Sequence, residues 1–191
     1  MITNLVELYV ALDELLDGIS DVCQHCIDDD CLGYLWLLPE EAENFYEAGI
    51  ELLEVNERLT FINPFTNGEV IDIEKVKPPC PYCQNRRCSI RAFRPFFCRM
   101  YPLNFATESD NIYLVLHLDC EYARQKEYDM EFHQRAINLF RRLDLQLFFQ
   151  ILGTYRLVEG ISKFPAGNNR YLILKEVITM SKCKAVMDSK K

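Results

Sequence analysis

The strongest constraint on this chain is an internal repeat made of cysteines. Cys23-x2-Cys26-x4-Cys31 is matched by Cys80-x2-Cys83-x4-Cys88, and Cys98 and Cys120 follow. A CxxC turn sets two sulfurs on one side of a tight loop, within reach of one tetrahedral ion. A third cysteine four residues on completes a three-sulfur face. Two such faces with Cys98 and Cys120 supply the thiols that two four-thiolate sites require. Keeping each triplet together puts Cys23, Cys26, Cys31 and Cys120 in one site and Cys80, Cys83, Cys88 and Cys98 in the other. An arrangement that shares the CxxC pairs between the sites stays open. Cys183 has no partner at ligand spacing and is expected to be a free thiol.

The alternative use of so many cysteines is a disulfide framework, which belongs to secreted proteins. The total of nine is odd. The opening stretch has no leading Lys or Arg, and Glu7, Asp13, Glu14 and Asp17 interrupt it, so it does not read as a secretory signal. No run of about 18 uncharged apolar residues exists, so no membrane partner is expected. These features point to the cytoplasm, where grouped thiols usually mean metal or redox chemistry. Four thiolates suit zinc, and two zinc ions are the expectation. Iron, alone or in an iron–sulfur cluster, is the alternative, although neither triplet follows the bacterial ferredoxin spacing.

Charge is unevenly divided. Residues 1–60 carry 15 acids and one base, Arg58, whereas residues 61–191 carry 14 acids and 20 bases, for a net −8. An acidic protein is a poor general binder of nucleic acid, because phosphate neutralisation needs a basic face. The bases include Arg86, Arg87, Arg91, Arg94 and Arg99, set among the second group of cysteines with no acid between Cys80 and Thr107. Guanidinium groups there would offset thiolate charge and donate to sulfur. An anion site for a substrate or protein partner is the sharper reading. Arg94 is expected to tie the 88–98 loop to neighbouring carbonyls.

At 191 residues with 49% apolar composition, one domain over 1–191 with a sizeable core is expected. Leu5, Leu8, Tyr9, Leu12, Leu15, Leu16 and Ile19 recur at helical spacing and predict a helix over 2–20, ending near Gly18–Ser20. CQHCIDDDC, residues 23–31, reads as a loop. Pro39 with Glu40, Glu41 and Glu43 predicts a helix start at 38–45. RLTFIN and EVIDIE around NPFTNG predict a hairpin over 58–73, and 78–88 reads as a Pro- and Cys-rich loop. Residues 88–105, with two prolines, are not expected to hold a long regular element. IYLVLHL at 112–118 predicts a strand, 121–155 a helix that Gly153 ends or kinks, and 171–180 a last strand. The fold class is α+β: helices at both ends around a small β-sheet and irregular cysteine-rich metal-binding loops. His25 is a candidate ligand, while His117 and His133 read as structural. Asp28, Asp29 and Asp30 read as a solvated loop edge. No Ser–His–Asp pattern or glycine-rich phosphate loop is visible.

One string is specific. In CSIRAFRPFFCRMYP, residues 88–102, stand Cys88, Ser89, Ile90, Phe93, Arg94, Pro95, Cys98, Arg99, Tyr101 and Pro102. This pattern resembles the signature of the YkgJ family of cysteine-cluster proteins, described as zinc- or iron-chelating domains. Cys23, Cys26, Cys31 and Glu41 extend the likeness, which covers residues 20–120 and leaves 121–191 as a helical C-terminal extension. The family commonly has an adjacent cysteine pair in its first group, where this chain separates Cys26 from Cys31 by four residues. The resemblance implies metal binding by about eight cysteines. Because the family includes a flagellin lysine methylase, it also implies a possible S-adenosylmethionine-dependent methyltransferase. The leading expectation is a metal-binding protein whose metal is mainly structural and which binds a protein partner or substrate. The rivals are an iron–sulfur or zinc enzyme of protein modification, with Arg94 and Arg99 near the substrate, and an electron carrier.

Overall fold

The computed structural model describes residues 1–25, 35–55, 59–62, 80, 82–85, 87–108, 111–161 and 170–179. The chain opens with α1 (Leu5–Leu15) and α2 (Ile19–His25), then β1 (Leu35–Leu37), α3 (Pro39–Glu47), β2 (Leu52–Val55) and β3 (Leu59–Ile62). The short strands β4 (Cys83–Gln84) and β5 (Arg87–Cys88) lead to a 3-10 turn at Arg91–Phe93 and to α4 (Phe96–Met100). After these come β6 (Leu103–Glu108), β7 (Asn111–His117), α5 (Glu121–Gln125), α6 (Met130–Arg141), α7 (Leu145–Ile161) and β8 (Tyr171–Thr179). The class is α+β, but among the described residues the strands form three separate antiparallel units, ordered β1-β3-β2, β4-β5 and β6-β7-β8.

The periodicity of the first segment holds, but as two helices. Asn4 caps α1 by accepting from the Glu7 amide, and Leu5, Leu8, Leu12 and Leu15 form its buried stripe. The chain breaks at Leu16, and Gly18 adopts φ +80°, a left-handed conformation that glycine enters without steric cost. The helix then restarts and carries Cys23 to His25 in its last turn. Those three residues are therefore helical rather than loop. The predicted single helix over 121–155 is likewise broken, at the two aspartates that cap its successors. Asp129 accepts from the Phe132 amide at 2.9 Å, and Asp144 accepts from the Gln146 amide at 2.8 Å. The gap at Leu143 forms a parallel bridge with Ile2. Gly153 does not end α7, which runs on to Ile161.

β3 matches the first predicted run, but its described partners are β1 and β2, neither of which the patterning had singled out. The second run, EVIDIE, lies outside the described residues. β7 sits centrally between β6 and β8, with Ile112, Leu114 and Leu116 turned to the core. The main core gathers α1, α4, β6, β7, α6 and α7 around Phe96, Phe105 and Leu8, with Phe105 edge-on to Phe140. Residues 121–152 are thus part of the same core as the first helix. A smaller cluster is built on Leu37 and Phe45, and Tyr82 and Ile90 pack against it. That satellite core positions the second cysteine group.

Candidate functional site

Cys83 and Cys88 stand directly opposite each other in the β4-β5 ladder. Residues paired across an antiparallel ladder present their side chains on one face, with Cβ atoms roughly 4.5–5.5 Å apart. The segment predicted as a loop therefore contains a two-stranded hairpin, turned at Asn85 with φ 50°, which asparagine tolerates. Cys80 joins the pair through its carbonyl, which accepts from the Cys83 amide at 3.0 Å. Ser89 closes the far side: its amide donates to the Tyr82 carbonyl at 2.9 Å and its hydroxyl to the same oxygen at 3.1 Å. With Tyr82 and Ile90 held in the satellite core, the hairpin cannot swing freely.

Cys98 arrives from α4. Burial, with the nearby Cys80 and Cys88 sulfurs adding to it, pushes its thiol up to about 12. Burial also raises the Cys80 thiol, which feels Cys88 and Cys83. Cys80 and Cys98 thus each feel neighbouring cysteines, Cys80 through Cys88 and Cys83 and Cys98 through Cys80 and Cys88. Among the described residues, no group of three or more His, Cys, Asp or Glu side chains is placed to hold a metal ion.

The first cysteine group is described only in part. Cys23 lies exposed on α2, and Cys120 is buried at the N-cap of α5. These two helices contact each other, and α2 also contacts β5, where Arg87 donates to Gln24 at 3.1 Å. Cys26, Cys31 and Cys183 lie outside the described residues, as do Asp28, Asp29, Asp30 and Arg86. His25 is at the end of α2, its Nδ1 2.9 Å from the Asp21 carbonyl. His133 is buried with Nε2 2.8 Å from the Lys126 carbonyl, and His117 stacks edge-on with Tyr171, both in structural settings.

Beneath Cys98 runs a buried polar network that the periodicity of the sequence did not reveal. The Glu41 carboxylate accepts from the backbone amides of Leu38, at 2.7 Å, and Phe96, and from the Tyr9 hydroxyl. Arg99 donates Nε to the Arg94 carbonyl at 2.9 Å, pairs with Asp13 and lies over the Tyr9 ring. The arginine that ties the loop to a carbonyl is therefore Arg99, not Arg94. Arg94 approaches Asp13 at 3.6 Å instead, and burial lowers its affinity for its proton. Its Nε is buried and has no hydrogen-bond partner among the described residues. Tyr9 and Asp13, four residues apart on α1, supply the acidic half's answer to the arginine segment. Their shared helix face was visible in the sequence, but their arginine partners, over 80 residues away, were not.

This region thus combines four cysteines, two of them with suppressed ionisation, and an Arg94 Nε that has no hydrogen-bond partner among the described residues. A cation is what holds buried thiols as thiolates, and a thiolate is an acceptor for an orphaned Nε–H. These donor types are the ones a thiolate-bound metal uses, although among the described residues no three of them stand together as an ion-holding group. No protein-family model, curated protein or solved structure matches the chain. No helix among the described residues is long and apolar enough to cross a membrane.

Proposed function

We propose that this protein binds metal through cysteine thiolates, with zinc as the leading ion and iron or an iron–sulfur cluster as the alternative. Cys80, Cys83, Cys88 and Cys98 form one centre, and Cys23, Cys26, Cys31 and Cys120 the second. The observation that carries this reading is the pairing of Cys83 with Cys88 across β4 and β5, with Cys80 and the half-buried Cys98 near them. The role is structural: the ion joins a hairpin with almost no core of its own to α4, and presents the 80–98 segment to a protein partner or substrate. The likeness to YkgJ-type cysteine-cluster proteins, carried by residues 88–102, agrees with this chemistry.

Metal analysis by native mass spectrometry, on protein purified without oxygen, tests the proposal. Two bound zinc ions are expected. A brown preparation with sulfur-to-iron charge-transfer absorption would replace zinc by iron–sulfur. A folded, metal-free chain carrying disulfides among these cysteines would overturn the reading.

A further inference from the structure

We infer that Cys83 and Cys88, which face each other across β4 and β5, are a thiol–disulfide switch that exchange with a small disulfide such as oxidised glutathione closes into a reversible cross-strand bond. The switch follows from the ladder register and stands without any metal.

The register decides which pair can close. Ser89 donates its amide to the Tyr82 carbonyl at 2.9 Å, so Tyr82 and Ser89 form a hydrogen-bonded pair. Hydrogen-bonded and non-hydrogen-bonded pairs alternate along an antiparallel ladder, which makes Cys83 and Cys88 a non-hydrogen-bonded pair. The Cys83 amide agrees, because it donates away from β5, to the Cys80 carbonyl at 3.0 Å. Cα atoms in such a pair stand roughly 4.5 Å apart, with their side chains close together on one face. A disulfide spans Cα separations of roughly 4.4–6.8 Å. The two sulfurs can therefore bond by side-chain rotation, without moving the strands. Both thiols are half-buried rather than sealed in the core, and an accessible disulfide is the kind that thiols reduce again. Arg87 and Arg91, both exposed, flank Cys88, and no acid lies between Cys80 and Thr107. A cationic surround attracts an anionic disulfide such as oxidised glutathione.

One cysteine, as thiolate, attacks the glutathione disulfide, forming a mixed disulfide and releasing one glutathione thiolate. The opposite cysteine attacks the protein sulfur of that mixed disulfide and releases the second. Two cysteine thiols are oxidised, and one glutathione disulfide is reduced to two thiols. On the metal-binding reading above, closure withdraws two donors from the centre, so oxidation and metal compete for the same sulfurs.

The test exposes the full chain, purified without oxygen, to glutathione at rising ratios of oxidised to reduced form. Remaining thiols are blocked with iodoacetamide, and non-reduced tryptic peptides are mapped by mass spectrometry. Cleavage after Arg86 and Arg87 separates Cys83 from Cys88 but leaves Cys80 with Cys83. The expected principal product is a peptide pair joined through Cys83 and Cys88, which dithiothreitol separates. Cys80→Ser should form the same cross-link, and Cys88→Ser should stop at a glutathione adduct on Cys83. A principal disulfide made through Cys80, or both thiols still alkylated at the highest ratio, would overturn the switch. Metal content measured beforehand separates this result from the metal reading. Metal bound at the start with no cross-link overturns the switch alone. A Cys83–Cys88 cross-link in protein that held no metal keeps the switch and removes the metal reading.

Discussion

The carboxylate of Glu41 accepts the backbone amide of Phe96, joining the first turn of α3 to the first turn of α4 across 55 residues of sequence. Glu41 is only 4% exposed, and it also accepts from the Leu38 amide and the Tyr9 hydroxyl. One carboxylate therefore satisfies orphan amides at two helix starts and anchors both to α1. Because α4 carries Cys98, the position of that thiol depends on Glu41.

Glu41→Ala should be among the most damaging single substitutions outside the apolar core. It strands two buried amides and a hydroxyl, at a cost of about 3 kcal/mol or more. Glu41→Gln keeps one acceptor oxygen and should cost about half as much. Urea denaturation of the three proteins checks the order, and equal stability of Glu41→Ala and wild type would show that water replaces the carboxylate without loss.

The same residue sets a pH dependence. Burial is the largest influence on Glu41 and holds its carboxyl above the usual carboxylate range, against the pull of its donors and of Arg99. The folded protein then binds this proton more tightly than the unfolded chain does. Its stabilising contribution is complete below the ordinary glutamate value of about 4.3 and is lost as pH rises through the raised folded value. Glu41→Gln should lack that decline, so the stability difference between wild type and variant should shift against wild type as pH rises. Denaturant midpoints measured across this window give the sign directly.

Cys98 and Cys183 should behave oppositely. Cys98→Ser should lose about one metal equivalent and lower the melting temperature, because metal-binding free energy is also folding free energy. Cys183→Ser should leave metal content unchanged. Equal losses in the two variants, by elemental analysis, would show that the ligands have been chosen wrongly. Because the Cys98 thiol sits at about 12, its ionisation must be driven by the ion. Metal uptake should therefore release protons, and affinity should fall as pH falls.

Arg99→Lys tests the clamp on α1. Lysine can keep the Asp13 pair but loses the Nε bond to the Arg94 carbonyl and the planar stack over Tyr9. Asp13 is half-exposed, so solvent screening makes the ion pair itself the smaller share of the loss. A destabilisation of about 1–2 kcal/mol in thermal or urea melts is the expected outcome. Asp13→Asn should cost less than Arg99→Lys, and the reverse order would assign the clamp to charge rather than to geometry.

The sequence by itself determined what local periodicity and local chemistry control. The stripe Leu5–Leu8–Leu12–Leu15 specifies α1, Pro39 with the following glutamates starts α3, and the runs at 112–118 and 171–180 become β7 and β8. The spacing of the second cysteine triplet also left a local sign, since Cys83 and Cys88 meet across the β4-β5 ladder. Even the helix breaks at Asp129 and Asp144 left a local sign in their capping aspartates, although an unbroken apolar stripe masked it. Tertiary structure alone decided how those elements combine. That β8 pairs with β7, that Tyr82 and Ile90 seat the cysteine hairpin on Leu37 and Phe45, and that Arg99 finds Asp13 across 86 residues are outcomes of packing. A buried polar group takes whichever partner the converging core brings within hydrogen-bonding range, and no short-range pattern encodes that choice. Glu41 shows the division: its place in the first turn of a helix was legible, but its bond to Phe96 exists only once two helix ends meet over the same core.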